Sequence, residues 1–315
     1  MSNGIHARRH ERRSIDCFPL ATVMLKRLWK LIANAKGDLW NPQEFPPGHF
    51  YSPIPSLKRI REEESKIFKT PRSIPGVDLN EDQQLRLLEE FKDYYRELPF
   101  KQQKQEGLRY SFENPYYLYS DAIFLYSMIR HVKPERIIEV GSGYSSCVML
   151  DTNELYFGNK IKCTFIEPFP DRLLSLIKQS DTKRIELIDK NIQEVPVGMF
   201  QSLSENDILF VDSTHISKAN SDVNSIFFDI LPALNKGVYI HFHDIFYPFE
   251  YPKTWILGGR SWNEAYLLRA FLQYNQSFKV VFFNTYLQHF FPEKFEEEYP
   301  LCMKNTGGSI WLKKR

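Results

Sequence analysis

From Arg136 onward the chain alternates short β-branched runs with helical stretches, and that alternation confines it to a small set of folds. The runs are Arg136–Val140 (RIIEV), Lys162–Ile166 (KCTFI), Arg184–Ile188 (RIELI), Asp207–Val211 (DILFV) and Gly237–Phe242 (GVYIHF). Phe278–Phe283 (FKVVFF) and Ser309–Leu312 follow. Helical patterns occupy Ser145–Tyr156, Asp171–Gln179, Asn220–Leu234 and Trp262–Gln273. The expected architecture is α/β: a Rossmann-like, doubly wound, seven-stranded and mostly parallel sheet with helices on both faces. Only a loop is expected between the last two strands, which allows an antiparallel hairpin at one edge of the sheet.

The residues before this pattern differ in composition. Residues 1–40 form a basic tail: up to residue 36 there are eight lysines and arginines against Glu11 and Asp16. Within it, residues 18–35 can form an amphipathic helix with Leu25, Leu28, Trp29 and Ile32 on one face. Such a helix could touch a membrane surface or a partner. Packing on the body of the protein is the favoured reading, since one short helix with few lysines anchors weakly. Residues 41–109 hold Pro42, Pro46, Pro47, Pro53, Pro55, Pro71 and Pro75, which predict an extended wrap, followed by a helix over Leu79–Leu98. Residues 110–315 form the ligand-binding domain, entered through an apolar helix over Tyr117–His131.

Composition excludes several classes of function. A net charge of +2 argues against a general nucleic-acid binder. No apolar run approaches the roughly 20 residues that cross a bilayer. The four cysteines lack metal-type spacing, so a reducing compartment, and hence the cytoplasm, is expected. Aromatic residues make up 15% of the chain, which predicts an aromatic-lined cleft as well as a core. A homo-oligomer is compatible with the sequence, but nothing in it specifies one.

Two clusters carry chemistry. The first is Glu139-Val140-Gly141-Ser142-Gly143-Tyr144-Ser145-Ser146, which closes a strand and opens a helix. Glycines there let the backbone turn tightly and approach a nucleotide. Glu167-Pro168 ends the second strand, where a carboxylate can accept hydrogen bonds from both ribose hydroxyls of an adenosine. Glu139 beside the bend disfavours a pyrophosphate and favours a cationic or amino-acid-bearing ligand. The second cluster is Asp212-Ser213-Thr214-His215 with His241-Phe242-His243-Asp244, at the ends of the fourth and fifth strands. Carboxylates and imidazoles converging there suit a divalent metal or acid–base chemistry. Strand alternation predicts that His241 and His243 face one way and Phe242 and Asp244 the other.

EVGSGYSS, IEP, DILFVDSTH and YIHFHDIF resemble the class I S-adenosylmethionine-dependent methyltransferases over residues 110–315, most closely the macrocin-type sugar O-methyltransferases. The resemblance implies S-adenosylmethionine as cofactor. Gly141, Ser142 and Gly143 would line its methionine end near Glu139, Glu167 and Pro168 would hold the ribose, and Asp189, Asn191 and Ile192 would flank the adenine. Asp212 would border the same ligand. The similar enzymes bind magnesium through an Asp after the fourth strand and an acidic pair after the fifth, which implies Asp212 and Asp244 as ligands of Mg²⁺ or another divalent metal. His243 stands where the pair's other acid would be. His215 falls where that family places its general base.

The expected reaction is transfer of a methyl group to a hydroxyl of a small-molecule acceptor, a sugar, phenol or other secondary metabolite, with His215, Asp212 and Asp244 as the catalytic set. The segment Phe246–Trp255 should border the acceptor, Arg260, Trp262, Asn263 and Glu264 should close over it, and Tyr110, Phe112, Asn114 and Tyr116 should cover the cofactor. Two alternatives explain less. A nicotinamide-dependent oxidoreductase leaves Glu139 and the Asp212/His215/Asp244 cluster idle. A non-catalytic binding protein on the same fold leaves all of the polar strand-end residues idle.

Overall fold

The computed structural model describes residues 45–315, so the helix expected over residues 18–35 and Cys17 lie outside the described residues. The chain divides after Ser56. The described part of the first unit, residues 45–56, is a series of turns in which Phe45 stacks on His49 at 4.9 Å and Gly48 N–H donates to the Ile54 carbonyl at 2.9 Å.

The second unit begins at Leu57. Its sheet contains β1 (Arg136–Val140), β2 (Lys162–Ile166), β3 (Glu186–Ile188), β4 (Ile208–Val211), β5 (Tyr239–His243), β6 (Phe278–Phe283) and β7 (Ser309–Lys314), in the order β3-β2-β1-β4-β5-β7-β6. Strands β1 to β5 pair in parallel, and β7 runs antiparallel between β5 and β6. The β-branched runs predicted this: every residue of β4, and all but the first of β1 and β5, is buried, as strands covered on both faces must be. The strand order reverses between β1 and β4. That is the point at which open α/β sheets leave a crevice beyond their carboxyl ends.

The link between β6 and β7 corrects the sequence reading. The antiparallel pairing is present, but the connection is no loop. It carries helices over Asn284–Phe290 and Pro292–Glu298 and a tight turn over Pro300–Lys304. Pro292 and Pro300 read as loop signals, yet each sits at a helix start, where its missing N–H removes no bond. The crossover helix from β4 to β5 runs over 222–233 and holds a π turn at Ile226–Ile230.

The boundary expected at residue 110 also moves. Residues 57–67 are two short helices rather than an extended wrap, Leu57–Glu62 and Glu64–Ile67. The helix Glu81–Arg96 packs into the main core, with the Phe91 ring 5.4 Å from Phe282 and 6.3 Å from Phe124. Arg109 is buried and bonds Asp151 at 2.7 Å, while also contacting Glu154 and Asp181, so burial of its charge is offset by three carboxylates. Residues 57–109 are thus part of one body with the sheet.

Candidate functional site

The first cluster forms where β1, β2 and β4 end. Gly141 has φ +79°, donates its N–H to the Ile166 carbonyl at 3.0 Å, and lies so close to Asp212 that any Cβ would collide with that residue's carbonyl oxygen. Asp212 N–H in turn donates to the Val140 carbonyl at 2.8 Å. The Glu167 carboxylate is fixed by two backbone amides, Ser142 N–H at 3.1 Å and Phe169 N–H at 2.9 Å, which leaves further lone pairs free for hydroxyl donors. A cavity of about 360 Å³ opens here, lined by Gly141, Glu167, Pro168, Asn191, Ile192 and Asp212 among others. The Ser142 hydroxyl is buried beside it without a partner among the described residues. A glycine that no other residue can replace, a fixed carboxylate and an orphaned hydroxyl fit an adenosine-bearing ligand.

Not every expected residue lines this cavity. Asp189 is exposed and lies outside the lining, as do Ser142 and Gly143. Glu139 is fully buried beneath the bend and accepts hydrogen bonds from the Ser145 and Ser146 hydroxyls. Burial pushes its carboxyl up to about 8, with Asp212 and Glu167 adding to the rise and the two serines opposing it. It shapes the turn from below and does not face the cavity. Tyr110 and Phe112 are core residues packed edge-on at 5.7 Å, so neither covers a ligand. Asn114 closes its own turn by accepting from the Tyr116 and Tyr117 amides, and Tyr116 alone of the four is exposed.

The second cluster gathers Asp212, His215 and Asp244, whose ligand atoms lie within 4.8 Å of one another. His215 Nε2 faces Asp212 at 3.4 Å and Asp244 at 3.5 Å. Its Nδ1 lies 2.8 Å from Glu264, a fully buried carboxylate that also accepts from the Ser213 hydroxyl. Burial of the ring works against its charge. The Asp212 and Glu264 carboxylates outweigh it and hold the imidazolium well above the usual histidine range. For Asp212, burial is likewise opposed, by His243 and His215, and its carboxyl lies below the ordinary value. Burial raises that of Asp244.

Alternation fails at the end of β5. Asp244 has φ +55°, outside the strand, and this left-handed residue turns its carboxylate toward His215 instead of away. His215 has φ +62°, so two of the three clustered side chains sit on strained backbone, a frequent mark of functional positions. His243 lies outside the cluster, 3.6 Å from Asp244, with Nδ1 buried and unpartnered. Burial opposes its charge, yet the nearby acids Asp244, Asp212 and Asp121 raise its pKa. His241 is buried among Phe210 and Trp311 and faces no cavity.

A second cavity of about 500 Å³ opens from Asp244 and His243, walled by Trp255, Arg260, Trp262 and the turn at Asn305–Gly308. Phe246 and Pro252 also line it, as the sequence predicted for this segment. Trp262 rests against the His215 ring at 4.3 Å, and Arg260 stacks on Trp255 at 4.0 Å. Asn263 holds the Ser217 amide at 2.6 Å instead of reaching the cavity. Asp121 forms part of the floor, and accepts from Gly308 N–H at 3.0 Å. It escaped the sequence reading, although a lone acid in the first turn of an otherwise apolar helix was the available signal.

Residues 138–245 match the family model of a methyltransferase domain. An uncharacterized protein of Archaeoglobus fulgidus is 37% identical over 170 residues, spanning 52% of this chain and 76% of its own. Among solved structures, the SAH-bound Podospora anserina methyltransferase PaMTH1 aligns at 16% identity with a TM-score of 0.41, covering 82% of this chain and 97% of that one. The O-methyltransferase TomG of Streptomyces achromogenes, in complex with SAM, aligns at 14% identity with a TM-score of 0.42, over 72% of this chain and 89% of that one. Among the described residues no helix is long and apolar enough to cross a membrane. The matched domain starts inside β1 and ends just after β5, so it spans both clusters, and the chain carries a methyltransferase domain.

Proposed function

We propose that the protein transfers the methyl group of S-adenosylmethionine to a hydroxyl oxygen of a small molecule, a sugar or a phenolic secondary metabolite. One observation carries the reading: the buried His215 imidazole lies between the Asp212 carboxylate, which lines the first cavity, and the Asp244 carboxylate, which lines the second, with its far nitrogen locked on Glu264. Bound S-adenosylmethionine supplies an already activated methyl group, so the chain's task is mainly to position the acceptor and take its proton. Glu167 holds the ribose, with Pro168, Asn191 and Ile192 bordering the nucleoside and Gly141 letting it approach the backbone. His215 takes the hydroxyl proton at Nε2. Glu264 keeps Nδ1–H oriented and steadies the imidazolium that results, as the third member of a carboxylate–histidine pair does in other proton-transfer sites.

Asp212 and Asp244 would offer two oxygens to a hard divalent cation such as Mg²⁺, while the His215 nitrogen beside them is kept for the proton and His243 lies outside the group. Such a cation would lower the hydroxyl pKa and orient the acceptor. It would also weaken the hold of Asp212 on the imidazolium, so that Nε2 could accept a proton. Trp255, Trp262 and Phe246 present flat apolar faces of the kind that bind sugar rings or phenols.

The test is incubation with isotopically labelled methyl donor and panels of sugar and phenol acceptors, read by mass spectrometry. Labelled product should form with the native protein and fail with His215→Ala, although the variant still binds S-adenosylhomocysteine. Turnover unaffected by His215→Ala would remove the general base. Methyl transfer that proceeds at full rate in EDTA would remove the metal.

A further inference from the structure

The donor that this site is read to take carries a zwitterionic amino-acid end. The first cluster supplies carboxylates in plenty, at Glu139, Glu167 and Asp212, but these suit an ammonium and repel an α-carboxylate. An anion needs a cation or a helix N-terminus at the bend. Both are present. Arg172, on the short helix Asp171–Leu176, packs its Cδ against Gly143, 3.4 Å from where a side chain there would begin. Its guanidinium lies 4.4 Å from the centre of the Tyr116 ring and, among the described residues, pairs with no carboxylate. The ring of Tyr116 is in turn 6.1 Å from that of Tyr144, the first residue of the helix Tyr144–Phe157. That helix is 14 residues long, and its N-terminal end opens at the same bend. The Ser142 hydroxyl, buried and without a partner, lies at the same turn.

We infer that Arg172 receives the α-carboxylate of the donor, held above the Gly141–Gly143 bend by its stack on Tyr116, with the Ser142 hydroxyl and the helix N-terminus completing the anion's surroundings. A guanidinium is suited to this: its planar fork can bond a carboxylate through two parallel N–H groups while its face stays on an aromatic ring. The stack lowers the entropy lost when the side chain is fixed, and Arg172 already lies close enough for its charge to act on Asp212. Tyr116 also lines the acceptor cavity, so the residue that holds Arg172 is shared between donor and acceptor.

The inference rests on the donor reading above, and calorimetry separates the two. The ligands are S-adenosylhomocysteine and its decarboxylated analogue, which keeps the amine and loses only the carboxylate. Native protein should prefer the first. Arg172→Gln should weaken S-adenosylhomocysteine by roughly ten- to a hundredfold while leaving the analogue within about twofold, so the preference collapses. Arg172→Lys should restore part of it, as a charge without the fork. Tyr116→Ala, which removes the ring and leaves the charge, should cost about two- to fivefold. Arg172 is exposed, so a thermal melt of the Gln variant should match the native one. Unchanged affinity in Arg172→Gln, or an equal loss for both ligands, overturns the assignment. Native protein that binds neither ligand overturns the donor reading itself.

Discussion

The two cavities at the top of the sheet are built by different means. The donor side is made mostly of backbone. Gly141, the Ser142 and Phe169 amides, and the crossed bonds between Val140, Ile166 and Asp212 determine its shape, and all lie within three residues of a strand end. The acceptor side is made of side chains brought from afar: Asp121 from the helix before β1, Asp244 and Phe246 after β5, Trp255, Trp262 and Glu264 from the next segment, and the turn at 305–308 before β7. A ligand common to many chains can be gripped by main chain that any sequence supplies. A ligand particular to one chain needs side chains that only this sequence carries.

That contrast predicts separable failures. The largest belongs to His215. His215→Ala should lower kcat by roughly a hundred- to ten-thousandfold, the usual worth of a positioned base, with affinity for S-adenosylhomocysteine within about threefold of native. A parallel collapse of donor affinity would mean that the two sides are one unit. Gly141→Ala should do the reverse. Its Cβ meets the Asp212 carbonyl and its φ of +79° adds a penalty of about 1 kcal/mol, so donor affinity should fall by roughly a hundredfold in an equilibrium titration. Native affinity in that variant would show that the bend does not set the donor site. Glu264→Gln keeps the shape but loses the charge beside Nδ1. Steady-state kinetics should show kcat down by about tenfold or more, KM nearly unchanged and the pH–rate profile moved to lower pH, because the carboxylate that raises the imidazole is gone. A KM effect alone would make Glu264 a structural support.

The same contrast governs what the sequence disclosed. Strands β1, β2 and β6 are legible to the residue, because a short run of β-branched and aromatic residues depends only on local chemistry. On the donor side the sequence names Gly141, Glu167, Pro168, Asn191, Ile192 and Asp212, which line the cavity, and Glu139, Ser142, Gly143 and Asp189, which lie outside its lining. The acceptor side followed in part: the sequence places Asp244, Phe246–Trp255, Arg260 and Trp262 there, but not Asp121 or the turn at 305–308. Glu264 is expected to close over the acceptor, and only the fold reveals that it turns inward to His215 instead. Asp244 joins Asp212 and His215 as the resemblance implies, but alternation does not set it opposite His243, because a residue with φ +55° ends the strand. Tyr110 and Phe112 looked like a lid because aromatics near a cleft resemble a wall, whereas Phe100 and Tyr126 draw them into the core. The helices over 284–298 are interrupted by Pro292, which reads as a break although it starts the second of them.

The smallest effect concerns the support beneath the bend, and it separates scaffold from chemistry. Glu139 bonds Ser145 and Ser146 in the first turn of the following helix, and burial pushes its carboxyl up to about 8 from an ordinary value of 4.5. The native state therefore keeps the proton between those two values while the unfolded chain releases it. Below pH 4.5 both states hold the proton and Glu139 contributes no slope; as pH rises toward 8, unfolding becomes progressively easier, and above 8 the loss is complete. Each pKa unit between the states is worth about 1.4 kcal/mol, and compactness of the unfolded chain reduces the total, so roughly 2–4 kcal/mol is expected across the window. Glu139→Gln keeps a group that can hydrogen-bond both serines but cannot ionise. Its melting temperature should stay level from pH 5 to about 8 relative to the native curve, which should fall. Parallel curves would mean that the buried carboxyl is ionised in the fold and that the two serine hydroxyls alone sustain its charge. In either case donor affinity at pH 6 should differ by no more than about threefold, since Glu139 meets the cavity only through the backbone it supports.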